Sequence, residues 1–182
     1  GPALRYKHLF NSDSLPSTGE IILVALPYWG HVVRDILEII CDVDWPKPVK
    51  VKFHPTMDWR KYENMIPQKF SVTGESLNKL LSQALMVVGN STGAMIEAAC
   101  LGIPVINIIK PSSFSHEFMP EIGKGIIWDQ VKEVGEIGEL ITRFQKKLNE
   151  NPELLKEEGA RLRSFCFAEP TDELISQAFG LE

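Results

Sequence analysis

Apolar positions in this chain fall into short unbroken runs, separated by longer stretches of helical period. Ile21–Leu26, Leu85–Val88 and Val105–Ile109 are continuous apolar runs of strand length, the pattern of strands buried on both faces. Val49, Val51 and Phe53 alternate with Lys50 and Lys52, which predicts a strand ending at His54-Pro55. Lys69–Val72 and Ile126–Trp128 are briefer strand candidates. Between them, Val32–Cys41 puts Ile36, Leu37 and Ile40 on one helical face, and Glu75–Gln83 turns Leu77, Leu80 and Leu81 inward. Ala94–Leu101 is apolar on nearly every side and is stopped by Gly102. Val131–Asn149 and Pro152–Phe165 read as charged amphipathic helices, and Thr171–Phe179 as a last helix with Thr171 as N-cap.

Continuous apolar strands alternating with helices predict an α/β fold: a doubly wound, Rossmann-like parallel sheet in a three-layer α/β/α sandwich. Ligands gather at the carboxyl ends of such strands. Those ends carry Pro27–His31, His54-Pro55, Thr73-Gly74, Gly89–Gly93 and Lys110–His116. Residues 1–20 read as an entry or linker segment, 21–165 as the Rossmann-like domain and 166–182 as a C-terminal helix. Ala3–Leu15 has no clear period and needs something to pack on. Leu15-Pro16-Ser17-Thr18-Gly19 spells a sortase signal, but a strand follows at once and the stretch reads as a loop.

Composition narrows the class. The 182 residues are 44% hydrophobic and 24% charged, the balance of one globular domain. A net charge of −5 argues against a general nucleic-acid binder. The three cysteines, Cys41, Cys100 and Cys166, are widely spaced and odd in number, which favours reduced core residues and a cytoplasmic location. No apolar run approaches the ~20 residues of a membrane span. The chain starts at Gly1-Pro2, without Met, as an excised part of a longer protein would.

The chemistry centres on Gly89-Asn90-Ser91-Thr92-Gly93, a turn that puts backbone N–H groups and two hydroxyls at a helix N-terminus. Such a terminus attracts anions. The same residues match G-x-S-x-G, the nucleophile elbow of serine hydrolases. That fold requires an acid and then a histidine downstream; the one histidine after Ser91 is His116, and the one carboxylate between them, Glu97, lies on the elbow helix itself, so the triad fails. A tight turn with Thr92 or Ser91 capping a helix remains compatible with any function. Glu97, on the apolar helix behind the turn, is costly there unless it is exposed or hydrogen-bonded. It is placed to accept hydrogen bonds from a ribose diol, or to be a solvated or lysine-paired glutamate. His54, fixed by Pro55, and His31, after Gly30, are candidates to donate to a phosphate. No histidine or cysteine pair has metal-ligand spacing, and Walker A and G-x-G-x-x-G sequences are absent.

His54-Pro55 after a strand, then Glu75–Ala84, then VVGNSTGAMIEAACLGIPVINI, resembles the donor-binding C-terminal domain of GT-B glycosyltransferases. The Ser/Thr-Gly, Glu-Ala, Gly-x-Pro-Val pattern is similar to that of UDP-N-acetylglucosamine 2-epimerases. The His-Pro and Ser/Thr pairs are similar to those of bacterial sialyltransferases and Kdo transferases, which use CMP-sugars. The resemblance implies one half of a GT-B fold in bacterial surface polysaccharide biosynthesis, with a UDP- or CMP-sugar as donor, no further cofactor and no metal. It further implies that Ser91, Thr92 and Gly93 hold donor phosphate and Glu97 the ribose hydroxyls. His54 faces the leaving oxygen, the peptide at Val72, Thr73 and Gly74 reads the base edge, and Gly30 and His31 approach the phosphates from the other side. The acceptor-binding N-terminal domain, missing from this sequence, is the implied partner on which the C-terminal helix at 166–182 packs, and any peripheral membrane association runs through that part. The paired carboxylates of the epimerases are not evident, which disfavours epimerisation; a serine hydrolase and a non-catalytic interaction module are the alternatives.

Overall fold

The computed structural model describes residues 6–10, 19–110 and 119–180. The loop expected at 15–18 and the 111–116 part of the last strand-end loop lie outside the described residues. Six strands form one sheet: β1 (Ile21–Ala25), β2 (Val49–Lys52), β3 (Phe70–Val72), β4 (Ala84–Gly89), β5 (Val105–Ile108) and β6 (Trp128–Val131). Their spatial order is β3-β2-β1-β4-β5-β6, and every pairing is parallel. The helices are α1 (Lys7–Phe10), α2 (Gly30–Ile40), α3 (Leu77–Leu81), α4 (Gly93–Cys100), α5 (Val134–Glu150), α6 (Pro152–Cys166) and α7 (Asp172–Phe179), with a 3-10 segment at Trp59–Met65.

The period-2 alternation of the strands sorts their side chains into two cores. On one face Ile22, Val24, Met86, Val88 and Ile106 pack against α2 and α5 through Ile36, Ile40, Ile137 and Phe144. On the other, Ile21, Leu23, Val87 and Val105 pack against α3, α4 and α6 through Leu80, Met95, Ala98, Leu155 and Leu162. Each such side chain contributes about 1.5–3 kcal/mol by leaving water. The one-turn helix α1 joins the second face through Leu9, which is fully buried.

Three local differences from the sequence reading have physical causes. Gly30 and His31, expected in a loop, form the first turn of α2. The last strand runs Trp128–Val131 rather than Ile126–Trp128, because Ile126 and Ile127 donate their N–H groups to Gly123 O in a turn. Asp129, within the strand, is taken up by Arg143 of α5. That helix consequently starts at Val134, where Glu136 accepts the N–H groups of Lys132 and Glu133 and anchors the first turn. Asn151 and Pro152 separate α5 from α6: proline cannot continue the first helix, and Asn151 Oδ1 accepts the Leu154 N–H at 3.3 Å to start the second. Thr171 caps α7 through the Leu174 N–H at 3.3 Å, as its sequence predicts. No helix among the described residues is long and apolar enough to cross a membrane.

Helix α6 crosses α4 at Gly159. A Cβ there would lie 2.7 Å from both Ala99 O and Gly102 N, which are backbone atoms. Gly159→Ala therefore separates the two helices and loosens the face that carries α4; a loss of about 1–3 kcal/mol is expected in chemical denaturation.

Candidate functional site

The chain direction reverses between β1 and β4. The connections from β1 run outward to β2, and those from β4 run outward to β5, so a crevice opens over the carboxyl ends of these two strands. The approach there is close: a Cβ on Gly89 would sit 2.5 Å from Ala25 O. Asn90 and Ser91 follow, both buried. Asn90 Nδ2 donates to Ile108 O and ties the turn to the end of β5, while the Ser91 hydroxyl donates to Asn90 Oδ1. Among the described residues Ser91 is the one non-glycine with positive φ, at 52°. This strained conformation directs the chain into α4. Thr92 is the N-cap of α4 but makes no side-chain cap hydrogen bond. The first N–H groups of α4 thus lack the ordinary hydroxyl cap, and the positive end of the helix dipole faces the crevice.

A Cβ built on Gly93 would meet the Glu97 side chain at Oε1, 4.0 Å away, and that oxygen is itself shielded from solvent. Glu97 is buried on α4, and its other oxygen, Oε2, lies 3.2 Å from His8 Nε2 on α1. Of the alternatives to a ribose-binding role, a solvated or lysine-paired glutamate, burial removes the first, and the charged partner seen for Glu97 among the described residues is His8.

The second group of residues lies at the ends of β2 and β3. A cleft of about 560 Å³ is lined by Lys52, Phe53, His54, Met57, Trp59 and the stretch Val72, Thr73, Gly74, together with Pro55. In this cleft the Thr56 N–H donates to His54 Nδ1 at 3.3 Å, with Thr56 Oγ1 at 2.8 Å. That pattern assigns the ring hydrogen to Nε2, the nitrogen available to a ligand. The His54 ring meets the exposed Tyr28 edge-on at 5.8 Å, which joins the end of β2 to the loop after β1. Lys52 Nζ donates to Glu75 O at 2.6 Å and holds the loop after β3. Glu75 itself accepts from Lys50 at 2.7 Å and pairs with Lys79 at 2.5 Å. Hydrogen bonds from Lys50 and then Lys79 hold its carboxyl at about 2, against an ordinary 4.5.

Gly30 and His31 begin α2 after β1, between the two groups. A Cβ on Gly30 would lie 2.7 Å from the Tyr62 hydroxyl, so glycine lets the 3-10 segment close over the helix start. His31 is exposed. The fold thus brings Gly30, His31, His54, Val72, Thr73, Gly74, Ser91, Thr92 and Gly93 to one edge of the sheet. Since β1 separates β2 from β4, the His54 and Ser91 strand ends stand about 10 Å apart. Glu97 sits one turn deeper, against α1. Met57 and Trp59 carry no sequence signal as cleft residues because they lie in a polar segment without a period, and Lys52 shows in the sequence only as the wet side of a strand. Among the described residues no three His, Cys, Asp or Glu side chains are grouped as metal ligands.

Compared by sequence, the chain matches no family model and no curated protein. Compared by structure, it is similar to glycosyltransferases of the GT-B fold. Anabaena HepE in complex with UDP-glucose aligns with 99% of this chain and 54% of its own, at TM-score 0.61 and 10% identity. CalG4, the calicheamicin glycosyltransferase, aligns with 91% of this chain and 43% of its own, at TM-score 0.55 and 16% identity. The wall teichoic acid polymerase TagF aligns with 97% of this chain and 46% of its own, at TM-score 0.51 and 12% identity. The chain therefore has the Rossmann-like fold of one half of a GT-B glycosyltransferase, and it spans about half the length of the structures it matches.

The Glu75 cluster braces the cleft and has a pH signature. Its carboxyl titrates lower folded than unfolded, so its contribution is complete above the ordinary 4.5 and is lost as pH falls toward about 2. Denaturation midpoints measured across that window should fall with pH in the parent chain, and Glu75→Gln should flatten that part of the fall.

Proposed function

We propose that this chain is the donor-binding half of a glycosyltransferase, holding a nucleotide sugar across the crevice at the ends of β1, β2, β3 and β4. The observation that carries this reading is the α4 N-terminus. It lacks a side-chain cap at Thr92, and a buried carboxylate, Glu97, lies one turn below. N–H groups there suit a phosphate, and the carboxylate suits the vicinal hydroxyls of a ribose. The cleft at His54 and Thr73 lies about one nucleotide's length away across β1, and its Val72-Thr73-Gly74 backbone suits the edge of a pyrimidine base. The neighbour HepE, solved with UDP-glucose, lends support by analogy of fold.

In this reading the glycosidic C–O bond breaks and negative charge grows on the departing nucleotide. The α4 N–H groups, the Thr92 hydroxyl and the Nε2–H of His54 stabilise that charge without a metal, by being in place before it forms. Ser91, whose hydroxyl hydrogen goes to Asn90, contributes through the shape of the turn and an acceptor oxygen rather than as a nucleophile. The base that activates the acceptor belongs to a second domain, with a surface-polysaccharide acceptor as the natural substrate and the cytoplasm as the place of reaction. Helix α7, which buries none of its own residues, is the element proposed to reach that domain.

Calorimetric titration with UDP, CDP and CMP tests the reading. At least one should bind below millimolar. Glu97→Gln should weaken it about tenfold or more by removing charge-assisted hydrogen bonds, and His54→Ala should weaken phosphate-bearing ligands by a similar factor. Absence of binding by all three at millimolar concentration overturns it.

A further inference from the structure

The cleft at the ends of β2 and β3 combines apolar surface from Phe53, Met57 and Trp59 with a small set of polar side chains, Lys52, His54 and Thr73. Lys52 is the last residue of β2 and half-buried. Its Nζ donates to Glu75 O at 2.6 Å, which fixes the ammonium beside the Thr73-Gly74 loop. An ammonium carries three N–H donors and no acceptor, so two remain for a ligand. Thr73 is taken up within its own loop. Its hydroxyl oxygen accepts the Glu75 N–H at 3.2 Å and stands 3.4 Å from Glu75 Oε2, and its N–H goes to Val51 O at 3.0 Å. The Glu75 carboxyl is engaged by Lys50 and Lys79, and among the described residues no carboxylate lines the cleft. His54 adds a second donor through Nε2–H. Among the described residues no atom lies within 4 Å of a Cβ built on Gly74, so the space beside that loop is open. The side chains thus offer donors against hydrocarbon, the complement of a flat ring with carbonyl oxygen at its edge.

We infer that Lys52 is the specificity-determining residue of this cleft: it selects a pyrimidine with a carbonyl oxygen at C4, uracil, over one with an amino group there, cytosine. The inference rests on the nucleotide reading above and settles which base that nucleotide carries. A lysine proton pairs with the uracil O4. Against cytosine the same proton meets N4–H2, so two donors face each other and neither is satisfied. A site built to hydrogen-bond one group rejects the analogue that lacks it because its own polar atom is then left unpaired. The effect is confined to the base and is read at a constant number of phosphates. A lysine that only braced the loop after β3, or only attracted phosphate, would serve uridine and cytidine nucleotides alike.

The test measures UDP and CDP by calorimetry in the parent chain and in Lys52→Met, which keeps the length of the side chain and removes its donors. In the parent chain UDP should be preferred by about tenfold, one charge-assisted hydrogen bond. In Lys52→Met that preference should shrink to about twofold or less, through a loss of UDP affinity while CDP binds as before. Three results overturn the inference and leave the nucleotide reading intact: a parent chain that binds CDP as tightly as UDP or more tightly, a preference unchanged in Lys52→Met, or equal weakening of both ligands, which would make Lys52 a brace or a phosphate contact. If the parent chain binds no pyrimidine nucleotide at millimolar concentration, the nucleotide reading itself fails and the inference falls with it. Should Lys52→Met not fold, Lys52→Gln decides in its place. A glutamine amide can donate to O4 or accept from N4–H2, so the preference for UDP should again fall to about twofold or less, and its survival at tenfold overturns the role given to Lys52.

Discussion

Strands β1 and β4 bury side chains on both faces, and that double burial governs the rest of the architecture. A strand apolar on both sides must be covered on both sides, so helices are required above and below the sheet. Helical crossovers in turn make the strands parallel and carry the chain outward from the centre in two directions. Where the directions part, no connection crosses the strand ends, and the crevice is left open to ligands. Gly89 allows the two central strands to come together at that point, since any side chain would strike Ala25 O.

Polar chemistry is confined to this edge because the faces have no place for it. Asn90 and Ser91 are buried but satisfy each other and the end of β5. The strained φ at Ser91 is tolerated because the Asn90 tether holds the turn from beneath. Glu97 is the exception, a carboxylate inside a helix whose other faces are hydrocarbon. Its burial is costly without a polar partner, and His8 Nε2 of α1 stands 3.2 Å from Oε2.

Most of the framework could be read from the chain because its strands are unbroken apolar runs and its helices have clean periods. The strands at Ile21, Val49, Leu85 and Val105, the order of elements and the crevice all follow from that pattern. The candidate site residues were legible where they sat beside a strand end, as at His54, Thr73 and Ser91. What could not be read was set by contacts distant in sequence. Four residues of α1 carry no period, so nothing in Lys7–Phe10 announces that His8 meets Glu97. Trp59 and Met57 lie in a stretch whose polarity hides their cleft. The final strand departs from its apolar pattern because the most apolar triplet, Ile126-Ile127-Trp128, begins in a turn, and the ladder continues into Asp129 and Gln130.

The grip of Arg163 on Leu9 joins positions 154 apart in sequence. A contact closing so long a loop has little to hold it until the intervening chain is ordered. The sheet and α6 must be in place before residues 6–10 have a surface to dock on, so their docking is a late step in folding. Until then Glu97 keeps its water, and the cost of dehydrating a carboxylate falls on a structure already formed rather than on the nucleus that builds it.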